Sequence, residues 1–510
     1  MKKSIIYRSL FIIVGFLSVA CFNDESSLDV NEIPTVVIDT TGIGSLSVYQ
    51  FENLKVAPEI AYEGISEDDL DYSWKINLEP NDTLYQIIGT EATLDYPIEF
   101  KPTSSNYAHQ LVLTVTNKAN GIASLMAWPV KVLNNIGEGL VIAETSDGVN
   151  TDISHIMAPE FTPDLTENSV KHHVYSALNG TTLAGIIKQM RFARVYGEDA
   201  IYAISDADLY RINTFDYTFG GSNDDLFYAA KDSYSPDAIL GVYQGDMYID
   251  SGRLTSTYLG ASSRYGLPFS SDYQVPGKIA ANPISNPAVV ITFYEQESGQ
   301  FIYQPSITQF GDNTMYPIPA ITNGNFDPAN VPDRVILAAD VNTDGGFMHL
   351  LKDQNSGKVE LYTFDGGESN YPSPYPPNPL GYFDLSEAPG ISEAEHFAFL
   401  NDQDILYYAS GDKVYAIIYS SSTPVIAERY SVPDGAEITT LQVYRQADYP
   451  WRSGSYLALN NKSLILSSYD GVEGEVYLLP LINTGVGNVD LPNVKTFSGF
   501  DRITAITTQL

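Results

Sequence analysis

Cysteine is almost absent from this chain, which has one, Cys21, in 510 residues. A single thiol excludes an intramolecular disulfide and any metal cluster built from several thiolates. Packing must therefore stabilise the folded protein, and 44% hydrophobic residues with 12% aromatics are enough for sizeable cores. About 490 residues follow Cys21, which is a comfortable length for two domains.

Basic residues are also scarce, because 27 Lys and Arg stand against 63 Asp and Glu, for a formal net charge of −36. A field of this sign repels phosphate backbones and anionic headgroups. We therefore expect no nucleic-acid partner and no membrane contact except through a lipid anchor. The same charge is suited to recruiting cations.

Known catalytic motifs are missing as well. None of the six histidines lies in a zinc-protease helix motif, and neither a Gly-x-Ser-x-Gly elbow nor a phosphate-binding Gly-x-x-x-x-Gly-Lys loop occurs. His172 and His173 would point to opposite sides of a strand, which makes them a poor joint metal site. Paired carboxylates can form in space without a sequence motif, so a glycosidase-like pair stays open. We predict a protein that is not an enzyme.

The N-terminus reads as an export signal that ends at the cysteine. Lys2, Lys3 and Arg8 precede a short apolar run, and the small residues of 18–20 precede Cys21. The run is too short for a stable membrane-spanning helix, so we expect residues 1–20 to be removed and Cys21 to be acylated. An ordinary secretory signal with a chance cysteine is the alternative. Residues 21–32 are then an acylated flexible tether.

Residues 33–133 have the pattern of a β-sandwich. Short alternating strands are predicted at 35–38, 72–76, 110–116 and 125–132, with turn residues between them. Trp74 on an early strand and Tyr107 before a late one match the pattern of a β-sandwich, and we expect Trp74 to be a core residue. Residues 134–139 are rich in Gly and Asn and form the predicted linker.

From residue 139 to 510 the chain becomes a series of hairpins. Three late hairpins begin at 348, 406 and 464, at intervals of about 58 residues, which is the mark of a β-propeller. We predict seven blades, with 500–507 completing the first blade and 181–190 as a short helix. Two separate β-sandwiches would explain the hairpins but not the spacing. The seven hairpin segments are 139–148, 200–210, 240–249, 289–303, 348–362, 405–417 and 464–478.

One run in this second region has metal-ligating character. Asp340, Asn342 and Asp344 alternate before a glycine pair, as at the start of a calcium loop. Position nine is Met348 and position twelve is Leu351, so no late carboxylate completes the ligand set. A plain hairpin turn explains the run equally well. Calcium is therefore the one cofactor that the sequence suggests.

Two loops combine proline with aromatic residues. Tyr371, Tyr375 and Tyr382 lie in a proline-rich stretch, and Tyr449 and Trp451 lie in the segment 448–454. Pre-ordered aromatic faces bind sugar rings or peptide side chains at low entropic cost, so we predict that these five residues contact a ligand. Alternatively, the prolines only stiffen the loops and the rings pack on the fold.

The order of these segments resembles the PKD-like family of surface lipoproteins in Bacteroidota. The resemblance rests on residues 72–75 and 107–117 and on the acidic pair Asp24 and Glu25 after the cysteine, which is similar to a surface-export signal. It implies an outer-membrane lipoprotein facing the exterior, accessory to a SusC/SusD-type transporter, that binds an oligosaccharide or oligopeptide without catalysis. The alternatives are a surface enzyme with an active site in the propeller funnel, and a purely structural docking subunit.

Overall fold

The structure, a computed structural model, describes residues 35–510 apart from 104–106, 135, 164, 196–197, 243–244, 258–262, 270, 307–313, 371–373, 452–453 and 483–484. The chain divides into two compact units, and the boundary along the sequence lies between residues 135 and 136. Regular structure in the described residues is almost entirely β-strand, which confirms the prediction of an all-β protein. No helix in this part of the chain has the length and apolar character needed to cross a membrane.

The first unit contains one five-stranded sheet, in the order β2-β9-β8-β5-β6, and two strand pairs, β1-β4 and β3-β7. Only β2 and β9 run parallel among the pairs described. This is the predicted β-sandwich. Its strands are β1 Val36–Asp39, β2 Leu46–Tyr49, β3 Asn53–Val56, β4 Glu59–Tyr62, β5 Leu70–Asn77, β6 Tyr85–Gly89, β7 Leu94–Pro97, β8 His109–Asn117 and β9 Ala123–Leu133.

The core of the sandwich is centred on two tryptophans. Trp74 is fully buried, its ring lies 5.9 Å from that of Trp128, and its Nε1 donates to the carbonyl of Glu91 at 2.8 Å. The prediction for Trp74 is confirmed. Tyr107, the other residue of the predicted sandwich pattern, has a side chain that is 52% exposed. Tyr107 precedes β8 rather than lying on it, so the alternation of β8 does not orient its ring.

The second unit is built from short antiparallel strands. The strands of its first half are β10 Gly139–Thr145, β11 Asn150–Met157, β12 Ser169–Lys171, β13 Leu183–Ala184, β14 Gln189–Val195, β15 Glu198–Ile204, β16 Leu209–Asn213, β17 Phe219–Ser222, β18 Pro236–Val242, β19 Gly245–Asp250, β20 Arg253–Ser256, β21 Ala280–Ala281, β22 Val289–Glu295, β23 Gln300–Pro305 and β24 Tyr316–Pro317. Helix α1, Val174–Asn179, follows β12.

Those of its second half are β25 Arg334–Val341, β26 Phe347–Asp353, β27 Val359–Phe364, β28 Pro379–Asp384, β29 Phe397–Leu400, β30 Ile405–Ser410, β31 Lys413–Ile418, β32 Val425–Ser431, β33 Glu437–Val443, β34 Ser463–Tyr469, β35 Gly474–Pro480, β36 Lys495–Phe500 and β37 Arg502–Gln509. Four short 3-10 helices complete the regular structure of the described residues, at Glu67–Asp69, Asn223–Leu226, Ile391–Glu393 and Leu491–Asn493.

These strands form seven sheets among the described residues, and each sheet is one blade of a propeller. The blades, in ring order and from first to last strand, are β37-β10-β11-β12, β14 to β17, β18 to β20, β21 to β24, β25 to β28, β29 to β32 and β33 to β36. The first strand of each blade contacts the first strand of the next blade. The first strand of blade 7, β33, contacts the first strand of blade 1, β37. The predicted seven-bladed ring is therefore confirmed.

The last strand of the chain closes this ring. β37 pairs antiparallel with β10, and the register joins Gln509 to Gly139 and Arg502 to Thr145. The Gln509 amide also donates to the carbonyls of Ile136 and Thr214. The prediction that the C-terminal strand completes the first blade is confirmed.

The predicted helix at 181–190 is wrong. Leu183 and Ala184 pair with β11, and Gln189 begins β14, so the segment is extended. The helix of this region, α1, lies just before the segment. It is capped at its C-terminus by Gly180, whose φ of +72° suits a residue without a side chain. Pairing with existing strands outweighs a local helical pattern in this short segment.

The cores of the second unit lie between neighbouring blades. The second strand of blade 4, β22, is buried at every position, whereas the outermost strand of blade 5, β28, alternates between half-buried and exposed residues. One apolar cluster joins Leu350 and Leu361 of blade 5 to Phe399 and Leu406 of blade 6. Because a blade packs on neighbours through both faces, its middle strands read as continuous apolar runs.

Candidate functional site

The first strands of the blades surround a central channel with a cavity volume of about 860 Å³. All seven blades contribute to its wall, through β14, β18, β21, β25, β29, β33 and β37. Small residues such as Gly241, Ala338 and Ala339 lie on these strands and keep the channel open. A cavity of this size is in the range that holds small-molecule ligands.

Hydrogen bonds between neighbouring blades fix the wall of the channel. The Gln189 side chain on blade 2 donates to the carbonyl of Ile239 on blade 3 and accepts from its amide, both at 2.9 Å. Thr508 Oγ1 on blade 1 donates to the carbonyl of Arg445 on blade 7 at 2.8 Å. These contacts pre-organise the wall, which lowers the entropic cost of binding a ligand.

Among the described lining residues, three are charged, and each has a partner. Arg191 Nε lies 2.7 Å from Oδ1 of Asp246, a fully buried residue behind the wall. Arg445 Nη2 lies 2.6 Å from Asp340 Oδ2 and 3.3 Å from the carbonyl of Phe399, so it joins blades 7, 6 and 5. Burial raises the pKa of Asp246 against the opposing effect of Arg191. The charges of the described wall are thus close to balanced, in a chain of charge −36.

A loop from blade 7 crosses one end of the channel. Tyr449, Pro450 and Trp451, which follow β33, all line the cavity. Trp451 Nε1 donates at 2.7 Å to the carbonyl of Pro283, which follows the first strand of blade 4, and Asn401 on blade 6 donates to Tyr449 Oη at 3.3 Å. Blades 7 and 4 are not neighbours in the ring. The loop therefore lies over the mouth, where Trp451 is 38% exposed.

Several buried polar atoms at this mouth have no hydrogen-bond partner within the described residues. They are Oδ1 of Asn401, Nε2 of Gln446 and Nε of Arg445, all on residues that line the cavity. Buried polar groups in native proteins are usually satisfied by protein, water or ligand. These three atoms have almost no accessible surface, so a guest in the channel could reach them only if the side chains shifted.

The structure separates the two predicted aromatic loops. Tyr449 and Trp451 lie together at the mouth of the channel. Tyr375, 53% exposed, lies between β27 and β28, and Tyr382 lies on β28, where its Oη donates to Glu360 at 2.7 Å. Neither lines the channel, and Tyr371 falls outside the described residues, as does Cys21. Ligand contact by these five aromatic residues stays a prediction.

The three residues of the calcium motif have other contacts. Asp340 is the second-last residue of β25 and forms an ion pair with Arg445. Asn342 Oδ1 accepts the amides of Asp344 and Gly346, at 3.0 and 2.7 Å, which is the arrangement of a tight turn between β25 and β26. These contacts match the hairpin alternative, and calcium binding stays a prediction.

Reactive chemistry in the channel is limited by its residue types. Among the described lining residues, Asp340 is the one carboxylate, and no histidine or cysteine is present. The wall otherwise offers amide and hydroxyl groups, aromatic rings and backbone. Sequence reasoning missed Gln189, Arg191, Arg445 and Gln446, because each blade supplies only a few residues and no motif joins them. The sequence signals near them were Asp340 of the calcium-like run, which pairs with Arg445, and the aromatic residues of the loop that follows β33.

Comparison with known proteins gives a family match for part of the chain. Residues 21–186 match the PKD-like family, a stretch that spans the sandwich and continues into the first sheet of the second unit. Among curated proteins, none matches the chain.

Solved structures with some similarity include a quinonprotein alcohol dehydrogenase-like protein from Bacteroides thetaiotaomicron, with 14% identity, a TM-score of 0.44, and coverage of 94% of this chain and 99% of that one. PorZ, a surface component of the type-IX secretion system of Porphyromonas gingivalis, has 9% identity, a TM-score of 0.33, and coverage of 78% and 52%. The WD40 domain of SCAP from fission yeast has 9% identity, a TM-score of 0.21, and coverage of 71% and 74%.

Proposed function

We propose that this chain is a non-catalytic recognition lipoprotein of the bacterial outer surface, anchored through Cys21, whose propeller channel binds oligosaccharides. It acts as an accessory to a SusC/SusD-type uptake system. The observation that carries the proposal is the channel itself, a pre-organised cavity with Tyr449 and Trp451 at its mouth.

The lining favours a sugar over a peptide. Oligopeptides bring charged termini and side chains, but the channel's own charges, on Arg191, Arg445 and Asp340, are already paired. Sugars present hydroxyls, which suit the amide and hydroxyl groups of the channel wall. Their apolar ring faces suit the exposed face of an aromatic side chain such as Trp451.

The carboxylate content of the channel supports binding rather than hydrolysis. Most glycoside hydrolases use two carboxyl groups on opposite sides of the scissile bond. Asp340 is the sole carboxylate of the described lining, and its pairing with Arg445 ties it to the wall. A funnel hydrolase of the kind considered from the sequence would need a second one.

The anchor and the partner rest on other support. The match to the PKD-like family begins at Cys21, the first residue expected after removal of the signal peptide. The acidic residues after it favour display on the exterior. In this proposal the sandwich is a spacer, and the propeller is the body that meets ligand and transporter.

Calorimetric titration tests the binding site. The soluble chain of residues 22–510 is titrated with neutral oligosaccharides of different linkage and with matched oligopeptides. We expect at least one oligosaccharide to bind and Trp451→Ala to weaken it by about two- to tenfold, since stacking on an aromatic ring is worth roughly 0.5–1.5 kcal/mol beyond its area. Phe219→Ala, at an exposed aromatic of the outer strand of blade 2, should bind like the wild type.

Three results would contradict the proposal. They are release of shorter sugars during the titration, preference for peptides, and equal affinity in the Trp451→Ala variant. If Tyr375→Ala weakens binding instead, the ligand site lies on blade 5 and not in the channel.

Tests in cells address the anchor and the partner. Radiolabelled palmitate should enter the wild type but not Cys21→Ala, and protease added to intact cells should degrade the protein. Affinity capture should recover a SusC/SusD-type transporter. Capture of that transporter without any ligand binding would instead support the structural docking role.

A further inference from the structure

Three side chains with metal-ligating atoms converge beside the strand that closes the ring. Glu144 lies on β10, His173 directly precedes α1, and Asp501 directly precedes β37. His173 Nε2 lies 3.1 Å from Asp501 Oδ2 and 3.8 Å from Glu144 Oε1. One ligand atom from each residue lies within 4.8 Å of the other two. None of these residues lines the central channel.

The spacing of these atoms fits one small metal ion. Zinc binds nitrogen and oxygen ligands at about 2.0–2.2 Å in a tetrahedron, which places neighbouring ligand atoms roughly 3.3–3.6 Å apart. The two distances from His173, 3.1 and 3.8 Å, lie on either side of that range. The two carboxylate oxygens lie within 4.8 Å of each other, so side-chain shifts of up to about 1 Å would bring all three atoms onto one ion.

Burial and charge also favour a cation at this point. The Glu144 side chain is completely buried, and burial raises the pKa of its carboxyl group. Its charged neighbours within reach are a second carboxylate, Asp501, and the imidazole of His173. Two carboxylates facing one imidazole leave negative charge uncompensated, and a divalent ion would balance it.

Two hydrogen bonds hold the carboxylate of Glu144 in place. The Ser154 hydroxyl donates to Oε1, and the Asp501 amide donates to Oε2 at 2.5 Å. Supporting hydrogen bonds of this kind orient the ligands in known metal sites. The side chains of His173 and Asp501 are 49% and 32% exposed, so water can complete the coordination from the open side.

We infer that Glu144, His173 and Asp501 bind one divalent first-row transition-metal ion, with zinc as the best fit. One imidazole and two carboxylates suit zinc better than calcium, which prefers six to eight oxygen ligands. The ion fastens β37 to the first sheet. It joins residues 357 positions apart in the chain, and because these ligands come together only in the folded state, binding stabilises the closed ring.

Calorimetry and thermal unfolding test this site. The soluble chain is stripped with a chelator and titrated with zinc chloride. We expect one ion per chain and a higher melting temperature with zinc. His173→Ala and Asp501→Asn should each lower the affinity at least about tenfold and remove the zinc-dependent rise in melting temperature. His172→Ala is the matched control, because His172 is the neighbouring exposed histidine and should keep both effects.

A second readout does not depend on the variants' folding. Cobalt chloride added to the stripped wild type should give the visible absorption of a tetrahedral site with a nitrogen ligand, and zinc should abolish it. The inference is overturned by absence of zinc binding, by equal affinity for calcium, or by equal loss of affinity in the His172 and His173 variants.

Discussion

Replacing Arg191 by methionine tests how the channel wall is stabilised. Asp246 is 1% exposed, its Oδ1 lies 2.7 Å from Arg191 Nε, and its Oδ2 has no hydrogen-bond partner among the described residues. Arg191→Met therefore leaves a buried carboxylate without its cation. Breaking a buried pair from one side costs about 3–5 kcal/mol, and we expect that loss in the free energy of unfolding measured by urea denaturation at neutral pH.

The same change alters the pH dependence in a defined direction. Burial already raises the folded-state pKa of Asp246 above that of the unfolded chain. For such an acid, the folded state binds the proton more tightly, so stability falls as pH rises from the unfolded pKa to the folded pKa. Loss of Arg191 raises the folded pKa of Asp246 further and extends that window upward. The deficit of Arg191→Met should therefore shrink as the pH is lowered.

Two further variants make the test decisive. Adding Asp246→Asn to Arg191→Met should recover part of the loss, because the charge is then removed from both sides. Lys413→Met breaks an ion pair of the same 2.7 Å length with Glu428, but both partners are solvent-exposed, so little should change. The reasoning is refuted if Arg191→Met and Lys413→Met have equal effects, or if Asp246→Asn fails to relieve the first.

Three other predictions concern the two units separately. Trp74→Ala should lower the free energy of unfolding of the sandwich by about 3–5 kcal/mol in urea denaturation, whereas the exposed Tyr107→Ala should change it by less than about 0.5 kcal/mol; similar losses would contradict the core assignment. Gly139→Ala should destabilise ring closure by about 1–3 kcal/mol, because the new Cβ would lie 2.3 Å from the backbone oxygen of residue 156, and an unchanged melting temperature would argue against this register. Burial lowers the pKa of His349 to about 3, so the wild type should lose stability as pH falls from about 6.5 toward 3, and His349→Gln should flatten that slope in pH-dependent urea titrations.

The repeated architecture could be predicted because the middle strands of each blade are buried on both faces. All seven segments chosen from the sequence fall in different blades, and β22 and β34 show why, with buried residues at nearly every position. Such runs are prominent in a sequence with many turns. The closing strand was recognisable for a different reason. Buried and half-buried positions alternate along much of it, and it follows the last blade.

The channel could not be predicted, because its residues come from strands with weak patterns. β21 has only two residues, and β25 is half-buried along most of its length. Their side chains meet residues of other blades at distances fixed only by closure of the ring. Arg445, for example, pairs with Asp340, which lies 105 positions earlier in the chain. A pattern within one segment cannot contain such a contact.

Local patterns also explain the errors. Residues 181–190 have a helical distribution of apolar positions, but strands with open hydrogen-bonding edges lie beside them, and pairing prevails. The cluster of Glu144, His173 and Asp501 was missed for another reason. His173 lies 328 positions from Asp501 in the chain, and no motif joins the three residues.

A solved structure of the soluble chain with a bound oligosaccharide would test the central claim most directly. The account predicts sugar in the propeller channel, with one ring against Trp451 and hydroxyls on Asn401 or Gln446. Sugar bound at Tyr375 and Tyr382 with an empty channel, or a cleaved product in place of the intact ligand, would contradict it.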